Sequence, residues 1–150
     1  MMKALKLSCF AILAAISGAV AAQDLSGMWQ QIDDKTGSPK ALIEIRKESN
    51  NTYVGTIRKV TPRPGYVPRD TCNNCPAPYT NKAILGMDVL TGLKYVESSN
   101  SYEKGRVIDP LAGKIYDAKV RLNASGKRLT LRGYMGVSAL GRSQTWLRVE

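Results

Sequence analysis

Ile115-Tyr116-Asp117-Ala118-Lys119-Val120-Arg121-Leu122 decides the fold. Tyr116, Ala118, Val120 and Leu122 alternate with Asp117, Lys119 and Arg121. Successive side chains of an extended chain point to opposite faces, so a period of two marks a strand with one face buried and one in water. Asn123-Ala124-Ser125-Gly126 then reads as a turn. Beyond it the chain returns over Arg128–Tyr134, with Leu129 and Leu131 predicted to face the same interior.

The same grammar extends in both directions. Upstream, Gly27–Ile32, residues 41–47 and Tyr53–Val60 read as strands, with Ala41, Ile43 and Ile45 on one face. Regular structure is expected again over 84–90, with 94–96 as a short continuation, and then over 104–108. Downstream, Gly133, Gly136 and Gly141 mark a stretch of bends or bulges, and residues 144–149 close the chain. No window after residue 22 sustains a 3.6-residue apolar period, so helices are not expected. Between the third and fourth strands, residues 61–82 hold five of the seven prolines. Proline lacks the amide donor that a ladder needs, so this is a long loop. Loops of that length in a compact domain are uncommon and often functional. About eight short strands with mostly short links predict an all-β domain: an eight-stranded antiparallel barrel, whose closure removes the exposed sheet edges. A barrel of that size is just wide enough to be filled by side chains or to hold one small ligand.

Composition narrows the function. The chain has 150 residues, enough for one domain, and 22 Lys+Arg against 12 Asp+Glu give a net charge of +10. It contains no histidine, which removes histidine bases and histidine metal ligands. Residues 1–22, MMKALKLSCFAILAAISGAVAA, read as a secretory signal peptide: Lys3 and Lys6, an apolar run, then small residues up to Ala22. Its removal takes two lysines and leaves 128 residues with a net charge of +8, as one domain over 23–150. The expected location is the periplasm or the medium. Nucleic acid is not expected there as a partner, and no cofactor motif is present.

Cys72 and Cys75 are the cysteines remaining after cleavage. An even count in an oxidising compartment favours a structural disulfide, contributing about 2 kcal/mol and pinning the proline-rich loop. A redox pair would want a helix N-terminus, which this segment does not offer. A zinc site would need two more ligands. Asp33-Asp34 before Lys35-Thr36-Gly37 is read as a turn rather than a carboxylate pair, and Asp109-Pro110 with Gly113 likewise.

Gly27-Met28-Trp29, at the start of the mature chain, resembles the Gly-x-Trp opening of lipocalins, whose barrels carry an arginine near the last strand over the tryptophan ring. Arg148, or less favourably Arg142, takes that place here. A stack of Arg148 on Trp29 would contribute roughly 0.5–2 kcal/mol, a structural role for both residues. A wider likeness rests on Gly27-Met28-Trp29, Ile32-Asp33-Asp34-Lys35-Thr36-Gly37, Cys72-Asn73-Asn74-Cys75, Ile84-Leu85-Gly86 and Ile108-Asp109-Pro110. It continues through Gly113-Lys114-Ile115-Tyr116, Arg132-Gly133-Tyr134-Met135-Gly136 and Gly141-Arg142-Ser143-Gln144-Thr145-Trp146. On these the chain resembles the bacterial secreted family known as domain of unknown function 2147. The resemblance implies a lipocalin-like fold and an extracytoplasmic location, and no established activity.

Two readings of function follow. In the first, a barrel lined by Ile43, Ile45, Tyr116, Ala118, Val120, Leu129 and Leu131 holds a small amphipathic or lipid-like ligand. Tyr116, Tyr134 and Trp146 line the pocket, and Arg132 and Arg142 meet an anionic head group. Strand parity with Leu129 and Leu131 turns Arg132 outward unless Gly133 is a bulge. In the second, the barrel is packed, and its basic exterior and pinned loop bind an envelope protein or a membrane surface. An enzyme is not expected. A hydrolase built on two carboxylates stays open, but no spacing marks the pair, and Ser138 and Ser143 have no evident base. The ligand-binding reading is the one adopted.

Overall fold

The structure is a computed structural model that describes residues 24–65 and 68–149. The expected signal peptide lies outside the described residues. Eight strands follow in order: β1 (Gly27–Ile32), β2 (Pro39–Lys47), β3 (Tyr53–Val60), β4 (Asp88–Val96), β5 (Ser101–Asp109), β6 (Lys114–Leu122), β7 (Arg128–Tyr134) and β8 (Arg142–Arg148). Each pairs antiparallel with the next. β1 returns to β8 through Trp29–Arg148, Gln30–Leu147 and Gln31–Trp146, closing the barrel.

Alternation places the core. Ala41, Ile43 and Ile45 are buried on β2, Ala118 and Val120 on β6, and Leu129 and Leu131 on β7. Charged residues occupy the outer face, where Arg106 meets Asp117 at 3.1 Å, Lys119 meets Glu103 at 3.2 Å and Arg58 meets Glu44 at 3.4 Å. This is the inverse of a membrane-spanning barrel, which turns its apolar band outward.

β4 and β5 depart from expectation. β4 begins at Asp88, four residues after the expected start, and runs unbroken to Val96, whereas Ile84-Leu85-Gly86 belongs to the preceding turn. β5 begins at Ser101 rather than 104. The reason lies where the strands face one another. Gly92 has φ 72° and Lys104 has φ 61°, both left-handed. Gly92-Leu93 and Lys104-Gly105 leave the ladder between Thr91–Arg106 and Lys94–Glu103, without shifting its register. Leu93 turns inward, fully buried over Gly105, where a Cβ would lie 2.6 Å from its Cδ2. Two strands that share one interruption read, in sequence, as shorter strands placed elsewhere.

One end of the barrel is sealed. The Trp29 indole N–H donates to Leu25 O at 2.8 Å, and Arg148 lies over the ring with Cζ 4.4 Å from its centroid. The same guanidinium donates to Gly126 O (2.8 Å), Ser26 O (2.7 Å) and Asp24 O (2.7 Å). It thereby ties the chain before β1, the β6–β7 turn and β8 together. Leu25, Ile45, Leu93, Val120 and Leu129 fill this half, with Tyr53 and Tyr102 edge-to-face at 5.3 Å. Burial and the nearby Asp24 carboxylate push the Tyr53 hydroxyl above its ordinary range, so it remains a neutral donor.

Candidate functional site

The opposite half is hollow. A cavity of about 570 Å³ opens between the β1–β2, β5–β6 and β7–β8 connections and the proline-rich loop. Its floor is apolar: Ile43, Ile57, Val89, Leu131 and Trp146, all buried within the barrel wall. Val107, Ile108 and Tyr116 continue the wall, and Tyr134 stands near the rim. The volume falls within the range of small-molecule sites, which are mostly apolar with a few placed polar groups. The barrel is therefore neither empty throughout nor packed throughout. Of the interior expected from sequence, Ile43, Tyr116 and Leu131 line the space, whereas Ile45, Ala118, Val120 and Leu129 belong to the filled half. Leu25, Trp29, Tyr53, Leu93 and Tyr102 take up the room there.

Of the expected ligand contacts, Tyr116, Tyr134, Arg142 and Trp146 come together on this cavity. Arg132 does not join them. Its parity with Leu129 and Leu131 turns it outward, where it holds the β7–β8 connection through Ser138 O, Ala139 O (3.2 Å) and Ser143 Oγ (2.9 Å). Gln31 and Gln144 are lining residues that sequence reasoning missed. Gln31 Nε2 donates to Gln144 Oε1 at 2.8 Å, and the Trp146 indole N–H donates to the same oxygen at 3.3 Å. The signal was parity: Gln31 shares the inward face with Trp29, and Gln144 with Trp146.

The mouth is basic. Lys40, Arg63, Arg69 and Arg142 line it against one carboxylate, Asp109. Asp109 Oδ1 is occupied by the backbone N–H groups of Leu111 and Ala112 at 2.9 and 3.1 Å. Arg63 meets Asp33 at 2.5 Å. Lys40, Arg69 and Arg142 make no ion pair among the described residues. Among the described residues that line the cavity, Asp109 is the single carboxylate, whereas glycan hydrolysis uses a pair.

The long loop supplies part of this mouth and is fixed from two sides. Cys72 and Cys75 form a disulfide. Their sulfurs lie 3.8 and 3.7 Å from Pro110 O in the β5–β6 turn. Gly113, at φ 68°, lets that turn approach: a Cβ there would lie 2.1 Å from Asn74 O. On the other side Arg63 reaches the β1–β2 turn, where Asp33 Oδ1 accepts N–H bonds from Lys35 (2.9 Å) and Thr36 (3.1 Å). Asp33 is thus a turn residue. These backbone donors, with Arg63, hold its carboxyl below the ordinary 3.8. A depressed folded-state pKa stabilises above the unfolded value and is lost as pH falls through the folded one. The melting temperature should therefore drop on acidification from about pH 5 to about pH 2, and the drop should be smaller in Asp33→Asn. Equal drops in the two proteins would remove Asp33 from the account.

A profile of one family matches residues 27–148. The chain belongs to the DUF2147 family, described as "Uncharacterized protein conserved in bacteria". Among solved structures it is similar to protein HP1028 from the human pathogen Helicobacter pylori, described as belonging to the lipocalin family. The TM-score is 0.69 with 22% sequence identity, over 85% of this chain and 84% of that one. At that identity the likeness concerns the fold: this DUF2147 chain has a lipocalin-like barrel. Comparison with curated protein sequences gave no significant match.

Proposed function

We propose that this DUF2147 protein is an extracytoplasmic binding protein for one small amphipathic molecule with an anionic head. One observation carries the reading: an apolar-floored cavity of about 570 Å³ whose mouth holds Lys40, Arg69 and Arg142, which have no carboxylate partner among the described residues. The apolar part of the ligand would lie on Ile43, Leu131 and Trp146, between Tyr116 and Tyr134. Its carboxylate or phosphate would meet the mouth cations, which form charge-assisted hydrogen bonds with such groups. The disulfide in the pinned loop and the expected leader over 1–22 support a location outside the cytoplasm.

Native mass spectrometry of the purified protein with bacterial lipid extract should show one adduct per chain. Titration with a fluorescent long-chain fatty acid should saturate at one site. Arg142→Ala should weaken the fatty acid about three- to tenfold and leave its methyl ester unaffected, because Arg142 is exposed and water screens its charge. Absence of any adduct, and of saturable fatty-acid binding, overturns the reading.

A further inference from the structure

Half of the exposed large apolar side chains among the described residues stand around this one mouth. Leu140 is 83% exposed, Met135 and Val137 are each 58% and Leu111 is 39%. Three of them lie in the short β7–β8 connection and Leu111 lies in the β5–β6 turn. Met135, Leu140 and Leu111 also reach the cavity lining, so the apolar rim and the entrance coincide. Arg132 braces the connection from outside through its bonds to Ser138, Ala139 and Ser143, so Leu140 is presented on an ordered turn. The cations Lys40, Arg69 and Arg142 sit at the same rim.

We propose that the protein docks mouth-first on an anionic lipid bilayer, Leu140, Val137, Met135 and Leu111 entering the headgroup boundary while Lys40, Arg69 and Arg142 meet lipid phosphates. Shallow apolar side chains beside basic ones are the combination by which peripheral surfaces hold anionic membranes. Charge selects this occupant over a second copy. A two-fold self-contact through the rim would set the same cations against themselves, whereas a phosphate surface neutralises them. Docked in this way, the cavity opens onto the phase that stores amphiphiles. The docking concerns the surface and goes beyond the ligand-binding reading.

The test is co-sedimentation of the full chain with vesicles of phosphatidylcholine alone, or with about one-third phosphatidylglycerol. Binding is expected to the anionic vesicles, weakly to the neutral ones, and is expected to weaken with salt. Val137→Glu should lower it about tenfold. Val137 does not line the cavity, so fatty-acid binding without vesicles should be unchanged in that variant. Failure to bind anionic vesicles, or binding indifferent to Val137→Glu, overturns the proposal. So does a dimer in light scattering that the same substitution dissolves, which would assign the rim to a second copy. Vesicle binding without fatty-acid binding would sustain the docking and remove the ligand-binding reading.

Discussion

Trp29→Ala should lower the free energy of unfolding in urea by about 3–5 kcal/mol, a large part of the roughly 5–15 kcal/mol that holds a domain together. The ring is fully buried at the sealed end. Its removal leaves a void under Arg148, orphans Leu25 O as an acceptor and deletes the ring contact between the first strand and the last. Relaxation into the void is restricted, because Arg148 is already held by Ser26, Asp24 and Gly126 carbonyls. Arg148→Met keeps a long apolar side chain over the ring but removes all three donations. It should cost about 2 kcal/mol, the scale of one charged hydrogen bond, because the Asp24 and Ser26 carbonyls can turn to water while that of buried Gly126 loses its donor. The discriminating quantity is the urea midpoint at unchanged slope. Trp29 is not on the cavity lining, so the folded fraction of Trp29→Ala should still bind a fluorescent fatty acid. A loss of 1 kcal/mol or less, by order of magnitude, would mean that the seal is incidental to closure.

The barrel was legible because the physics that makes it is local. Residues 115–122 alternate side by side, and the chain must bury one side of that ladder. Asn123-Ala124-Ser125-Gly126 then leaves the returning strand one register, with Leu122 opposite Leu129. Trp29 and Arg148 were legible as partners through the likeness of Gly27-Met28-Trp29 to the lipocalin opening, which left Arg142 as the second choice, and the structure places Arg148 over the ring. The hollow half was not legible. Ile43 and Ile45 stand two residues apart on β2 with the same side chain, yet one lines the cavity and the other is packed. What separates them is bulk delivered from distant positions, Leu25, Tyr53 and Tyr102 among it, and alternation carries no record of that. The mouth was half legible. Arg142 was named as a ligand contact although the expected last strand began only at 144, and the structure starts β8 at Arg142, whereas Arg63 and Arg69 sit in a proline-rich segment with no period to orient them. Arg132 shows the converse: parity turned it outward, and the structure gives its charge a different use, as the brace of the rim.

Filling the hollow half should separate shape from function. Ala41 is buried at the cavity wall on β2, opposite Gln31 and Val60, and its methyl faces the empty volume. Ala41→Trp would place an indole over Ile43 and into the path between mouth and floor. In a packed core such a change costs about 1–3 kcal/mol through displaced neighbours. Into a space of about 570 Å³ the added ring has somewhere to go. The melting temperature should therefore change little, while affinity for a fluorescent fatty acid falls more than about tenfold, a loss above roughly 1.4 kcal/mol. Leu131→Trp, entering from β7, should do the same from another wall. Ile45→Trp, in the filled half, supplies the contrast: overpacking there should destabilise by about 1–3 kcal/mol. Ligand binding lost at Ala41 and Leu131 but stability lost at Ile45 would divide the barrel where the cavity ends. If Ala41→Trp instead unfolds the protein as readily as Ile45→Trp, the space is not an accommodating one, and an amphiphile would have no more room in it than the indole.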